Sequence, residues 1–155
     1  MFQDHPRIYK AINYDTGIMD HFYLTNPDIK NFRVLMNDKY KKLPTPKISS
    51  CKLISKNILI SDLDNIDYNY KSKNFSNKKT AKYFINKYLN NPFYNYQLFH
   101  LQKTDAQIAL IVLRVINIEN NKIIRVIDFE GDESLISHAG DFFLKIIKKE
   151  KAEYV

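Results

Sequence analysis

Two apolar segments, residues 106–118 (AQIALIVLRVINI) and 122–130 (KIIRVIDFE), are joined by the turn Glu119-Asn120-Asn121. Successive side chains of a strand point to opposite faces. Ile108, Leu110 and Val112 therefore face one way, and Ile111, Leu113 and Val115 the other. A strand that is apolar on both faces has to be covered on both faces. The pair belongs at the centre of a sheet with helices packed against it.

The flanking segments supply the covers. Residues 78–90 (KKTAKYFINKYLN) carry Ala81, Phe84, Ile85, Tyr88 and Leu89 at helical spacing. Ser76 or Asn77 is placed to cap that helix, and Pro92 cannot continue it. Residues 93–103 alternate as a strand, so 93–129 reads as a three-stranded antiparallel meander. An acidic elbow, Glu130-Gly131-Asp132-Glu133, leads into a second helix over 134–151. Its apolar stripe is Leu135, Ile136, Ala139, Phe142, Phe143, Ile146 and Ile147. Lys145, Lys148, Lys149 and Lys151 gather at its end, where cations complement the helix dipole. The expected fold class is α+β, a central antiparallel β-meander with flanking helices over 61–155.

Residues 1–60 read as a β-rich connector. Strands are expected within 7–36 around the turn Asp15-Thr16-Gly17, and a basic hinge at 39–47 contains Pro44 and Pro46. Residues 50–60 form a further strand or an extended lead-in, and 61–77 a polar surface loop. Glu153-Tyr154-Val155 reads as the start of a buried strand, and so as an unpaired edge.

A chain of 155 residues fits one domain with a real core. The net charge of +7 comes mainly from Lys; the four arginines are Arg7, Arg33, Arg114 and Arg125. Arg makes the commonest base-specific contacts, so nucleic acid is disfavoured as a partner. The single cysteine, Cys51, excludes an internal disulfide and fits a reducing compartment. There is no secretory h-region, and the longest apolar run, 108–113, is too short for a membrane span. A cytoplasmic location is expected.

Asp128 and Glu130 alternate at the end of the last strand, with Asp132 just beyond. They can orient an amine or act as general base; alternatively they are strand-end charges and a helix cap. His100 and His138 are candidate bases or ordinary hydrogen-bonded histidines. His5 and His21 lack ligand spacing, so no metal site is expected. Arg114 and Arg125 sit on adjacent strands. They can bind a phosphate or carboxylate together, or each can pair with an acid such as Asp128 or Glu119. Tyr83, Tyr88, Tyr94, Tyr96 and Phe99 form an aromatic cluster, either core or a stacking surface for a sugar or base. Gly-rich nucleotide-binding signatures are absent.

The order helix, meander, elbow, helix, strand over residues 76–155 resembles the central part of a GNAT-type N-acyltransferase. NPFYNYQLFHL, LIVLRVI and IIRVIDFEGD are similar to segments of GNAT-like proteins from bacterial surface-glycan biosynthesis, and HPRIYKAINYDTGIMDHFYLTN resembles their connector. The resemblance implies acyl transfer from acyl-CoA, a co-substrate rather than a tightly bound cofactor, to the amine of an activated amino sugar. Asp128, Glu130 and His100 would be catalytic, and the elbow residues Gly131, Asp132, Glu133 and Ser134 would hold the CoA pyrophosphate. The elbow departs from the family pattern: it has one glycine and three carboxylates, which cap a helix and repel a pyrophosphate. That departure, with the end of the chain at Val155, points to a fragment or a reduced fold. The alternatives are a non-catalytic binding or assembly module, homo-oligomeric through the edge at 153–155, and a weak charge-driven nucleic-acid binder.

Overall fold

The computed structural model describes residues 22–34, 54–63, 79–104 and 107–155. The expected strands before residue 22, the hinge at 39–47, Cys51, the capping residues Ser76 and Asn77, and His5 and His21 lie outside them. The fold is α+β. A four-stranded antiparallel sheet runs in the order β1 (Ile54–Asn57), β2 (Tyr96–Thr104), β3 (Gln107–Ile118), β4 (Asn121–Gly131). A short helix α1 (Ile60–Leu63) follows β1. Helix α2 covers 81–89: one α turn, Ala81–Phe84, continues as a π-helical turn, Ile85–Leu89. After β4 come a 3₁₀ helix, Glu133–His138, and α3, Gly140–Glu150.

The central strands are covered on both faces, as their composition requires. On one face Phe99, Leu101, Ala109, Ile111, Leu113 and Ile124 pack against Leu135, Ala139, Phe142, Ile146 and Ile147. On the other, Ile58, Leu98, Leu110 and Val112 pack against Phe84 and Tyr88 of α2. Burying these apolar side chains stabilises the fold by roughly 1.5–3 kcal/mol for each fully buried Leu, Ile or Phe. Among the described residues no helix is long and apolar enough to cross a membrane.

Three local expectations change. Thr80, not Ser76 or Asn77, caps α2, its hydroxyl accepting from the Tyr83 amide at 3.2 Å. The last helix is split at Ala139, and Ile136 is 51% exposed because the 3₁₀ turn takes it off the apolar stripe. Residues 22–34 hold a single β-bridge, Thr25 with Tyr154, rather than strands. Pro27 has no amide to donate, and Asn26 Oδ1 accepts from the Asp28 amide at 3.0 Å, which turns the chain.

The C-terminal residues are paired on both sides. The Glu153 amide donates to Lys122 O at 2.8 Å and the Ile124 amide to Tyr154 O at 2.9 Å, so 153–154 run beside β4 in the same direction. On the other side Leu24 and Val155 exchange amide–carbonyl bonds of 2.8 and 3.0 Å. The buried Glu153 carboxylate accepts from the Arg33 and Val34 amides at 2.8 and 2.9 Å. Residues 153–155 are therefore not an open edge.

Candidate functional site

The ladder between β3 and β4 contains one irregularity that places the acidic residues. Val115 pairs with Ile124 and Leu113 with Val126, yet the next pair is Val112 with Asp128. Ile127 is the extra residue of a β-bulge. Strict alternation from Ile124 would put Asp128 on the α3 face. The bulge turns it, and Glu130 after it, onto the α2 face.

There Asp128 meets α2. Its Oδ1 binds Lys79 Nζ and accepts its neighbour Phe129's amide at 2.9 Å. Its Oδ2 accepts from the Tyr88 phenol at 2.6 Å and the Tyr83 phenol at 3.3 Å. In a regular α-helix, residues five apart point about 140° away from one another. The π turn widens the helix, and Tyr83 and Tyr88 reach one carboxylate. Lys79 Nζ also lies 3.6 Å from Glu130 Oε2, and Lys87 Nζ donates to the Tyr83 phenol at 2.5 Å.

Burial alone would raise the Asp128 pKa, but the bonds from Lys79 and Tyr88 outweigh it and hold the carboxyl below its ordinary range. Burial likewise opposes the charge on Lys79, and the Asp128 carboxylate reverses this, so the ammonium is held above its usual value. Burial, then the bond to Asp128, drives the Tyr88 phenol far upward, keeping it protonated. Asp128 is thus a saturated carboxylate that ties α2 to β4. Glu130, with one cation at ion-pair range among the described residues, keeps free acceptor capacity.

His100 shares that face. Its register partners are Lys56 on β1 and Leu110 on β3, and Leu110 pairs in turn with Glu130. Two strand spacings, roughly 10 Å, therefore separate His100 from Glu130. Its Nε2 is buried with no hydrogen-bond partner among the described residues, and burial, followed by the Lys56 charge, lowers its pKa. His138 instead meets Lys103 Nζ at 3.1 Å.

The elbow is closed on itself. Gly131 has φ +132°, and a Cβ there would lie 2.5 Å from Ala109 Cα. The Asp132 amide donates to Ile108 O at 3.1 Å, the Ser134 amide to Asp132 Oδ1 at 2.9 Å, and the Leu135 amide to Asp132 O at 3.0 Å. The amides of Asp132 and Ser134, two of the four elbow residues expected to hold a pyrophosphate, are thus taken within the chain. Glu133 is exposed at the first 3₁₀ position. Among the described residues no group of three or more His, Cys, Asp or Glu side chains could hold a metal ion.

Sequence patterning placed Tyr83 and Tyr88 in an aromatic cluster but missed their shared carboxylate. The available signal was that a buried phenol needs a hydrogen-bond partner.

The remaining polar cluster sits past the end of α2. Tyr96, Arg114 and Arg125 are register neighbours across β2, β3 and β4. The Arg114 guanidinium lies 3.6 Å over the Tyr94 ring. Arg125 lines a cleft of about 490 Å³ with Phe22, Tyr23, Tyr154 and Val155. Comparison of the chain with family models, with curated proteins and with solved structures gave no match.

Proposed function

We propose that this chain is a GNAT-like domain, of the kind found in bacterial surface-glycan biosynthesis, that works as a ligand-binding module rather than as a self-sufficient acyltransferase. The GNAT-like reading is supported by the chain order: β4, elbow, α3, and then a segment returning parallel beside β4. The binding role is carried by one observation, the elbow amides of Asp132, Ser134 and Leu135 being taken by the chain itself. An anion there would have to displace the Asp132 carboxylate. Thermal denaturation with acetyl-CoA tests this, because a ligand that binds the native state raises the melting temperature. No shift that depends on the elbow residues Glu133 or Ser134 is expected at millimolar acetyl-CoA. A saturable shift abolished by substitution of Glu133 or Ser134 would refute the reading.

The free acceptor capacity of Glu130 favours a second reading, acyl transfer from acyl-CoA to the amine of an activated amino sugar, with Glu130 as general base. Its test is consumption of acetyl-CoA in the presence of an amino sugar. Activity lost in Glu130→Gln would establish it; absence of turnover would remove it.

A further inference from the structure

We propose that Arg114 and Arg125 form the phosphate-binding centre of a site for a small phosphorylated sugar or nucleotide; the inference rests on the binding-module reading and gives it a ligand class. The two arginines are directly paired across β3 and β4. Side chains so placed have Cβ atoms roughly 5 Å apart, and like charges directly opposite repel. A fold that sets two guanidiniums side by side usually neutralises them with carboxylates. Here the nearby acids are committed elsewhere. Asp128 and Glu130 face Lys79, Glu150 faces Lys122, and Glu153 accepts the amides of Arg33 and Val34. Among the described residues neither Arg114 nor Arg125 has an ion-pair partner.

The surroundings suit a ligand with a ring as well as a charge. Stacking on Tyr94 holds the Arg114 guanidinium in one orientation. Val155 and Leu24 pack into the core on the α3 side, so Tyr154, which alternates with Val155, lies on the face of Arg125. The Arg125 charge is felt there: burial raises the Tyr154 pKa, and Arg125 draws it partly back. The cleft of about 490 Å³, which Arg125 but not Arg114 lines and to which Ile124 and Val126 add apolar wall, lies in the range of small-ligand sites. Two parallel forks bind a phosphate or diphosphate bidentately, with Tyr94 and Tyr154 as stacking surfaces on either side. Two adjacent cations match one diphosphate, whereas a polymer needs its phosphates neutralised along a track.

Calorimetric titration of the full chain with UDP, ADP, uridine and inorganic pyrophosphate tests the site. UDP or ADP is expected to bind more tightly than pyrophosphate, and uridine not to bind measurably. Arg114→Gln and Arg125→Gln should each weaken nucleotide binding at least tenfold. Both variants should melt no lower than the parent, since each relieves a repulsion, so loss of binding will not reflect loss of fold. Equal nucleotide affinity in the parent and both variants, or no binding of any phosphorylated probe at millimolar concentration, overturns the proposal. So does binding of a random oligonucleotide alone with a steep salt dependence. Acetyl-CoA binding that survives both arginine substitutions but fails in Glu133→Arg would instead refute the binding-module reading.

Discussion

Tyr88 and Asp128, one on a π-helical turn and the other just after a β-bulge, meet in a 2.6 Å hydrogen bond that joins α2 to the sheet. Each end of the bond depends on a local irregularity. Removing the phenol leaves a half-buried carboxylate short of one donor. Tyr88→Phe should cost about 1.5–3 kcal/mol, the range for hydrogen bonds to charged groups, read from urea unfolding. A loss below about 0.5 kcal/mol would show that Lys79, Tyr83 and the Phe129 amide satisfy Asp128 without it.

The same cluster sets two pH limits. Asp128 has a lowered pKa in the folded state, so its contribution is complete above the unfolded carboxylate value, about 3.9, and is lost as pH falls through the folded value. Lys79 and Tyr88 have raised values. Their contribution is complete below the unfolded values, about 10, and is lost as pH rises beyond them. Asp128→Asn should flatten both limbs of a stability–pH curve. An unchanged alkaline limb in that variant would contradict the coupling.

His100 presents the opposite case. Its buried Nε2 lacks a partner among the described residues, and an unsatisfied buried polar atom costs roughly 1–3 kcal/mol. His100→Leu should therefore raise stability at pH 7 by about 1 kcal/mol. The folded-state pKa is lowered, so the parent loses stability as pH falls below the ordinary histidine value, about 6.5, and the advantage of the variant grows there. Chemical denaturation at pH 7 and pH 5 measures both. A destabilised variant would show that His100 makes a contact the geometry does not reveal.

At the elbow, Gly131→Ala forces a side chain into a left-handed backbone and against Ala109. The two costs together should reach about 3 kcal/mol or more. Asp132→Ala only removes the cap on the Ser134 amide, and should cost about 1 kcal/mol. The ratio of the two losses in thermal unfolding checks that close approach, rather than capping, selects Gly131.

Deleting Ile127 makes a less obvious prediction. The pairs Leu113–Val126 and Val112–Asp128 become consecutive without a bulge, and Asp128 keeps its face. The deletion should leave the Tyr88→Phe penalty intact in a double-mutant cycle. Loss of that penalty would mean that the added twist of the bulge, and not only its register, aims Asp128.

The meander and its two covers were legible because a strand apolar on both faces admits few arrangements, and Ile108–Val115 declares both faces. The surroundings of Asp128 were not. Alternation is a rule about regular strands, and nothing in KIIRVIDFE marks Ile127 as the residue without a partner. The split at Ala139, which exposes Ile136, was hidden for a similar reason: the apolar spacing of 135–147 suits one continuous helix. The pairing of 24–26 with 153–155 was beyond reach because segments of three residues carry no signal of which distant segment they will meet. By contrast, the role of Asp132 as a helix cap was legible from its residue type and place alone.

The flanks of the sheet have a consequence for how the chain assembles. β2, β3 and β4 are neighbours in sequence and can zip as successive hairpins. Glu153, by contrast, binds the amides of Arg33 and Val34 across 120 and 119 residues. Contacts of such separation form late, because the loop they close must be ordered first. During synthesis, residues 24–34 emerge long before the segment that holds them. The central strands close on contacts near in sequence, whereas residues 24–34 find their place only once 153–155 are there to hold them.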